Sequence, residues 1–416
     1  MKKMKKVLLT AGICLFAGSV FAQMKNVNAA FNEAKMPKPN FGEARKSINE
    51  ALKNPDTKDL AKTWYVAGFI ENKSFESDYN KTLIKQSVNE KNMYNALLDS
   101  YEKYLVAAKL DTMPNEKGKV KSKYLKDIKN TIKNNQPHFW SAGAYFYNEK
   151  DYKKAYKMWE IYQDIPKLNF MAKETLNATD SSYMQIRYYA ALAAFQTKDN
   201  KLAIKALNEA KKDNYEIQDI YYYLVYAYSQ EKDTVNQFNT LKEAVEVLGE
   251  KANDPKYQFM SQLINLCIYT GKGDDAIAYL KKALEADPNI AEYWKVLAVL
   301  YYENKKDEAN AVQCLEKAIS VKPDYAEAYG EMGRIYFNKA VTASNEASLI
   351  KNDAEYQKVR DEVVLVAYKK ALPYYEKAHS MKPDENEYMI ALRGIYYNLG
   401  DEANLKKIEA EMNASE

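Results

Sequence analysis

Apolar residues in the second half of this chain line one face of a helix, then a second helix, and the whole arrangement recurs about 34 residues on. Trp294, Leu297, Ala298 and Tyr301 stand at i, i+3, i+4 and i+7, the stripe of an amphipathic helix. After a short polar break, Ala311 and Ala318 mark one face of a second helix, seven residues apart. Met260, Trp294, Tyr329 and Met389 are separated by 34, 35 and 60 residues. Leu263, Leu297, Met332 and Leu392 show the same intervals, and so do Cys267, Tyr301, Tyr336 and Tyr396. Ala276, Ala311 and Ala371, then Ala283, Ala318 and Ala378, then Pro288, Pro323 and Pro383 follow at 35 and 60. The longer interval is one period plus an insertion of roughly 26 residues. Each proline cannot continue a helix and so closes its pair. No pair can bury its face alone, so the pattern predicts a stack of helix pairs.

The pattern loosens upstream. Phe139, Ala142, Gly143 and Phe146, followed by Asp151, Tyr152, Ala155 and Trp159, predict one further pair. Ala191, Ala203, Leu207 and Ala210 mark another, and Tyr221, Leu224, Tyr228, Leu241 and Ala244 a third. Ala44, Ile48, Ala51 and Pro55 read as an isolated second helix, and Trp64, Ala67 and Gly68 as a first helix whose partner is displaced to about Met93–Leu110. The expected organisation is seven pairs plus an N-terminal half-repeat. It comprises a mobile segment at 23–40, irregular helical repeats at 41–135 and a regular array at 136–416. The insertion at about 341–366 is rich in Ala, Glu and Lys, which predicts lengthened helices. Val363, Val364, Leu365 and Val366 are expected to pack on the neighbouring pair, and Ala298 and Gly333 to lie where two helix backbones approach closely.

From Lys256 to about Gly400 the order of large residue, Leu, small residue and Tyr, then Ala, aromatic, Ala and Pro, resembles the tetratricopeptide repeat family. That resemblance implies an all-α fold, a right-handed superhelical solenoid of helix-turn-helix pairs. It implies a non-catalytic scaffold whose first helices line a concave groove for a peptide or partner protein. Positions flanking the core stripe would then face the groove: Asn265, Ile268 and Tyr269; Lys295, Tyr302 and Glu303; Gly330, Arg334, Phe337 and Asn338; Ile390, Tyr397 and Asn398. Tyr226, Tyr147 and Asn148 take matching places upstream. The composition is aromatic plus amide, contact area beside hydrogen-bonding capacity. Some family members clamp a peptide carboxylate with cations, but Glu327 and Glu331 stand where those cations would be needed.

Composition changes the picture at the N-terminus. Residues 1–22 read as a secretory signal peptide, with Lys2, Lys3, Lys5 and Lys6 before an apolar run and Ala22 at the cleavage point. The chain carries 61 basic and 57 acidic residues, and cleavage removes four lysines and no acid, leaving 57 of each. A neutral mature chain gives no support to nucleic-acid binding, and the basic stretch from Lys117 to Lys133 reads as a solvated helix face. No membrane span is expected after cleavage. Cys14 lies inside the apolar run, and Cys267 and Cys314 read as buried small hydrophobes. The N-terminal style, Phe21-Ala22-Gln23 before a Lys- and Asn-rich chain, resembles exported proteins of the Bacteroidetes. This implies the periplasm or the periplasmic face of the outer membrane. It also implies candidate O-glycosylation at Thr112 and Thr234, each between an Asp and an apolar residue.

The sequence carries no catalytic, cofactor or metal motif. Its two histidines, His138 at the expected start of a helix after Pro137 and His379 near a helix end, have no ligand spacing to one another or to cysteine. Neither a phosphate-binding glycine loop nor a Gly-x-Ser-x-Gly turn is present. Three functions stay open: a protein-interaction scaffold, a glycan-binding helical-repeat protein, and an accessory subunit of an envelope assembly or secretion complex. Self-association of the chain is open as well.

Overall fold

The computed structural model describes residues 24–115, 117–172 and 180–414. The expected signal peptide, with Cys14, lies outside them. Every regular element among the described residues is helical. The chain divides into two compact units, with the boundary between Gln237 and Phe238.

The first unit begins with α1 at 24–33, followed by α2 (Phe41–Lys53), α3 (Ala61–Leu83) and α4 (Glu90–Asp111). It continues with α5 (Leu125–Asn148), α6 (Tyr152–Asp164), α7 (Asp180–Gln196), α8 (Asn200–Lys211) and α9 (Ile217–Gln230). The unit boundary falls within α10 (Thr234–Leu248). The second unit contains α11 (Phe259–Tyr269), α12 (Gly273–Ala286), α13 (Ala291–Lys305), α14 (Glu308–Val321) and α15 (Ala326–Ala347). It ends with α16 (Asp353–Val359), a π-helical turn (Arg360–Val364), α17 (Leu365–Met381), α18 (Asn386–Leu399) and α19 (Glu402–Ala414).

The small-residue slots read from the repeat are buried. Ala276, Ala311, Ala318, Ala371 and Ala378 are fully enclosed, as are Leu263 and Ile395. Turn chemistry fixes where second helices start. Lys150, Lys198, Lys232, Lys306 and Gly400 have left-handed backbones, and an Asp follows each one. Those aspartates cap the next helix: Asp151 accepts from the Lys154 N–H (3.2 Å), Asp199 from Leu202 (3.1 Å), Asp307 from Asn310 (3.0 Å) and Asp401 from Asn404 (3.1 Å).

The N-terminal region departs from expectation. The helix at 44–55 is not isolated: Val27, Ala30 and Ala34 are buried in the same core as Ala44, Ile48 and Ala51, so α1 is its partner and 23–40 is not a mobile segment throughout. Helix α5 starts at Leu125, and Pro137 lies in its interior rather than opening a helix at His138. Asn135 and Gln136 anchor that stretch, donating to the Asn72 side chain (2.7 Å) and the Tyr162 carbonyl (2.9 Å). The basic stretch from Lys117 is a loop up to Tyr124, not a helix face. The buried Asp111 carboxylate accepts from the N–H groups of Lys123 (3.0 Å), Tyr124 (2.7 Å) and Leu125 (2.9 Å), which sets the start of α5.

The insertion lengthens α15 to 22 residues and supplies α16 and the start of α17. Ala340 and Ala343 share a core with Val364 and Ala367, and Ala347 is buried as well. Val363 and Val366, expected to pack, stand exposed, because they share one side of the helical turn while Val364 and Ala367 share the buried one. Gly333 makes a close approach to a ring rather than to a backbone: a β-carbon there would lie 2.7 Å from the Tyr375 side chain.

Candidate ligand-binding face

Helices α11, α13, α15 and α18 bury Leu263, Leu297, Met332 and Leu392 and turn another side outward. On that side of α13 and α15, Arg334 is the hub. Its Nη1 donates to Glu303 Oε1 at 2.6 Å and its Nε to Glu331 Oε2 at 2.7 Å, and its guanidinium lies 5.3 Å from the centre of the Tyr302 ring. Burial works against the Arg334 charge, but the hydrogen bonds and charges of Glu303 and Glu331 outweigh it and hold its pKa above the ordinary value.

The other charges here are matched too. Lys295 Nζ lies 2.9 Å from Glu292, whose carboxylate also accepts from the Tyr325 hydroxyl. Lys382 donates to Glu327 at 2.5 Å and holds that carboxyl below its usual range. A carboxylate clamp needs a cation with open coordination, and both Lys295 and Arg334 are engaged by carboxylates.

The residues marked from sequence separate into two groups. Asn265, Glu303, Tyr269 (87% exposed) and Tyr397 (73% exposed) stand in solvent, as do Ile268 next to Tyr269 and Ile390 two turns before Tyr397. Tyr302, Asn338 and Asn398 are half-buried, and the Asn398 amide donates to the Gly394 carbonyl one turn back at 2.8 Å. Phe337 is not an open groove residue. Its ring meets Tyr368 and Tyr375 edge-on, with centroids 5.6 and 6.2 Å apart, and touches Gly394 of α18. Gly330 is likewise covered, since a β-carbon there would lie 2.6 Å from the Tyr388 ring.

In the first unit, Tyr226 packs edge-on against Phe195 (5.5 Å) yet remains exposed, and Asn148 is exposed. Tyr147 is a packing residue, against Tyr152 at 5.2 Å and Trp159 at 5.9 Å. The sequence reading passed over Tyr293, whose hydroxyl pairs with Ser261 at 2.9 Å and ties α11 to α13. Its slot recurs as Tyr388, which the 35- and 60-residue spacing could have marked.

Thr112 and Thr234 are both exposed. Thr112 caps the end of α4, its hydroxyl donating to the Ala108 carbonyl at 2.9 Å. The preceding aspartates have structural work: Asp111 starts α5, and Asp233 accepts from the Asn236 N–H at 3.1 Å to start α10. Among the described residues, no three His, Cys, Asp or Glu side chains are placed to hold a metal, and no helix is long and apolar enough to cross a membrane.

Comparison with known proteins places the repeat. Residues 264–326 match the family model of the tetratricopeptide repeat. An uncharacterized protein, YfbP of Escherichia coli K12, is 33% identical over 99 residues, which are 21% of this chain and 35% of that protein. The chain thus spans about a third of that relative's length. Among solved structures, the C-terminal part of a repeat-containing protein from Cytophaga hutchinsonii is 17% identical, covering 72% of this chain and 95% of its own, with a TM-score of 0.39. A repeat protein from Bacteroides fragilis is 16% identical over 63% of this chain and 98% of its own, with a TM-score of 0.31. YrrB, described as having an unusual peptide-binding site, is 21% identical over 49% of this chain and 95% of its own, also with a TM-score of 0.31. The matched segment, within which α12, α13 and α14 lie whole, carries the tetratricopeptide repeat pattern, and the same residue spacing recurs in α15 and α18.

Proposed function

We propose that this protein is a non-catalytic scaffold of the cell envelope that binds a peptide or partner protein on the outward side of its first helices. One observation carries the reading: the large aromatic residues Tyr269 and Tyr397 stand mostly in solvent, Tyr269 next to exposed Ile268 and Tyr397 two turns after exposed Ile390 on the same side of α18. Exposed aromatic residues with apolar neighbours mark contact surfaces, because they release much ordered water at low entropy cost. The ion pairs around Arg334 keep this face rigid, so a partner meets a preformed surface. The periplasmic placement rests on the N-terminal sequence.

Site-specific photo-crosslinking tests the assignment. A photoreactive side chain at Tyr269 should capture the same partner from envelope extract as one at Tyr397. Wild-type protein added in excess should compete that capture away. Capture at neither position by a folded protein, alongside quenching of Trp294 fluorescence by oligosaccharide, would replace this reading with a glycan-binding one.

A further inference from the structure

The second unit carries three successive clefts on the side of the first helices away from Arg334. Tyr329 and Tyr336 lie on one side of α15, and Arg334 and Asn338 stand roughly 140° or more around the helix from them. Each cleft has a first helix for its floor; second helices wall the first and last on two sides, and α17 alone walls the middle one. The first, of about 760 Å³, is floored by Trp294 and Tyr301 of α13. The next, of about 680 Å³, is floored by Tyr329 and Tyr336 of α15. The last, of about 240 Å³, is floored by Leu392 and Tyr396 of α18.

Their charge differs. In the first cleft Lys281 and Lys317 are balanced by Glu285 and Glu316. In the last, Glu411 lies 3.0 Å from His379 and 4.0 Å from Lys407. The middle cleft is lined by Lys369, Lys370 and Lys377 of α17 and by no acid. Among the described residues no carboxylate oxygen lies within ion-pair distance of these three lysines. Of the acids on adjoining elements, Glu376 accepts from the Tyr396 hydroxyl at 3.0 Å, and Glu316 lines the preceding cleft, though its charge also reaches Tyr374.

The middle cleft also offers stacking area and a backbone acceptor. Tyr336 and Tyr374 are parallel within 15° at 5.8 Å, and Lys370 Nζ sits 5.9 Å from the Tyr336 ring. Pro373 lies inside α17 and has no N–H, so the Lys369 carbonyl loses its helical partner at the cleft wall. Three ammonium groups, tyrosine faces and one open carbonyl match a ligand with carboxylates, planar or apolar groups and an N–H donor.

We propose that the cleft floored by Tyr329 and Tyr336 is a second binding site, for a short acidic peptide segment. Lys370 and Lys377 are seven residues apart, about 10.5 Å along the helix. An extended peptide covers that distance in about three residues. Acidic side chains of the segment engage the lysines, an aromatic or apolar one covers Tyr374, and a backbone N–H donates to the Lys369 carbonyl. This site is independent of the outward face proposed above.

Fluorescence anisotropy on the full chain tests it, with a fluorescein-labelled hexapeptide alternating glutamate and tyrosine. Its glutamine-for-glutamate counterpart serves as the neutral control. The acidic peptide should bind about tenfold more tightly than the neutral one, the order expected of three exposed charge contacts, and more weakly as salt rises. The triple variant K369Q/K370Q/K377Q, with its helicity checked by circular dichroism, should lose that margin, whereas Tyr269→Ala should keep it. Equal binding by the triple variant and the wild type would overturn the assignment. So would a sulfated polysaccharide that binds more tightly than the peptide through the same lysines, since the site would then be a general polyanion surface.

Discussion

The indole of Trp159 rests directly on the backbone of Gly143: a β-carbon added at Gly143 would come within 2.3 Å of the indole nitrogen. That nitrogen donates to the Trp140 carbonyl at 3.2 Å, so the ring has little freedom to move aside. Helix propensity alone favours Ala over Gly by about 1 kcal/mol. Overpacking against a held indole costs about 1–3 kcal/mol and wins. Gly143→Ala should therefore lower the urea midpoint of the first unit, read by the fluorescence of Trp64, Trp140 and Trp159. An unchanged or raised midpoint would mean that the α5–α6 contact is looser than this geometry.

Aromatic residues at one repeat position should behave oppositely on truncation. Tyr397→Ala, at an exposed side chain, should change stability by no more than about 0.5 kcal/mol while weakening partner capture. Phe337→Ala, removing a ring held by Tyr368, Tyr375 and Gly394, should cost about 2–3 kcal/mol, less than a fully enclosed Phe. Denaturant titration of the two variants side by side distinguishes them. Equal losses would place Tyr397 in the core.

His138 makes the first unit sensitive to mild acid. Burial lowers its pKa from the ordinary value of 6.5, and the rings of Phe75 and Tyr79 lie 5.1 and 4.3 Å away. With a depressed folded-state pKa, the unfolded chain takes up its proton first as pH falls. The contribution is fully present above the unfolded value and declines as pH drops below it. Urea midpoints for wild type should fall more between pH 7.5 and about 5.5 than those of His138→Phe. Parallel pH profiles would show that His138 titrates alike in both states.

Lys306 holds a left-handed backbone at φ 56° immediately before the cap Asp307. A β-carbon is strained there, and glycine adopts the same backbone freely. Lys306→Gly should raise the melting temperature, by a net stabilisation of about 0.5–1 kcal/mol after glycine's own entropy cost. A fall on calorimetry would mean that the exposed ion pair of Lys306 with Glu303, at 3.9 Å, outweighs the strain.

The helix pairs were legible because their determinants are local and repeated. Leu at one slot, Ala at two others and Pro at the close recur with the same spacing, and each is buried or terminal as that spacing requires. Exposure on the outward face was not legible. Phe337 and Tyr397 occupy one slot, 60 residues apart, yet only Phe337 is covered by a following first helix, α18. The cover comes from the next repeat, a fact that no residue's own periodicity contains. The partner of α2 was missed for a related reason: the buried residues of α1 and the turn after it, Val27, Ala30 and Ala34, are small, and the aromatic of α1, Phe31, packs on Phe69 of α3 at 4.8 Å. The three lysines of α17 escaped notice because a charge run reads as solvated surface until the acids that ought to answer it are located.

The lengthened α15 and the helix that returns along it have a consequence for how such a molecule can vary. Ala340 and Ala343 share a core with Val364 and Ala367, so the additional turns satisfy one another within a single pair. The chain then resumes the pattern: Pro383 closes the pair and Tyr388 seats over Gly330. Extra length added in this way grows along the helix axis and leaves the register of later repeats unchanged. A lineage could extend or trim this one tall storey without re-tuning the residues above and below it, which decouples the reach of the scaffold from the number of its repeats.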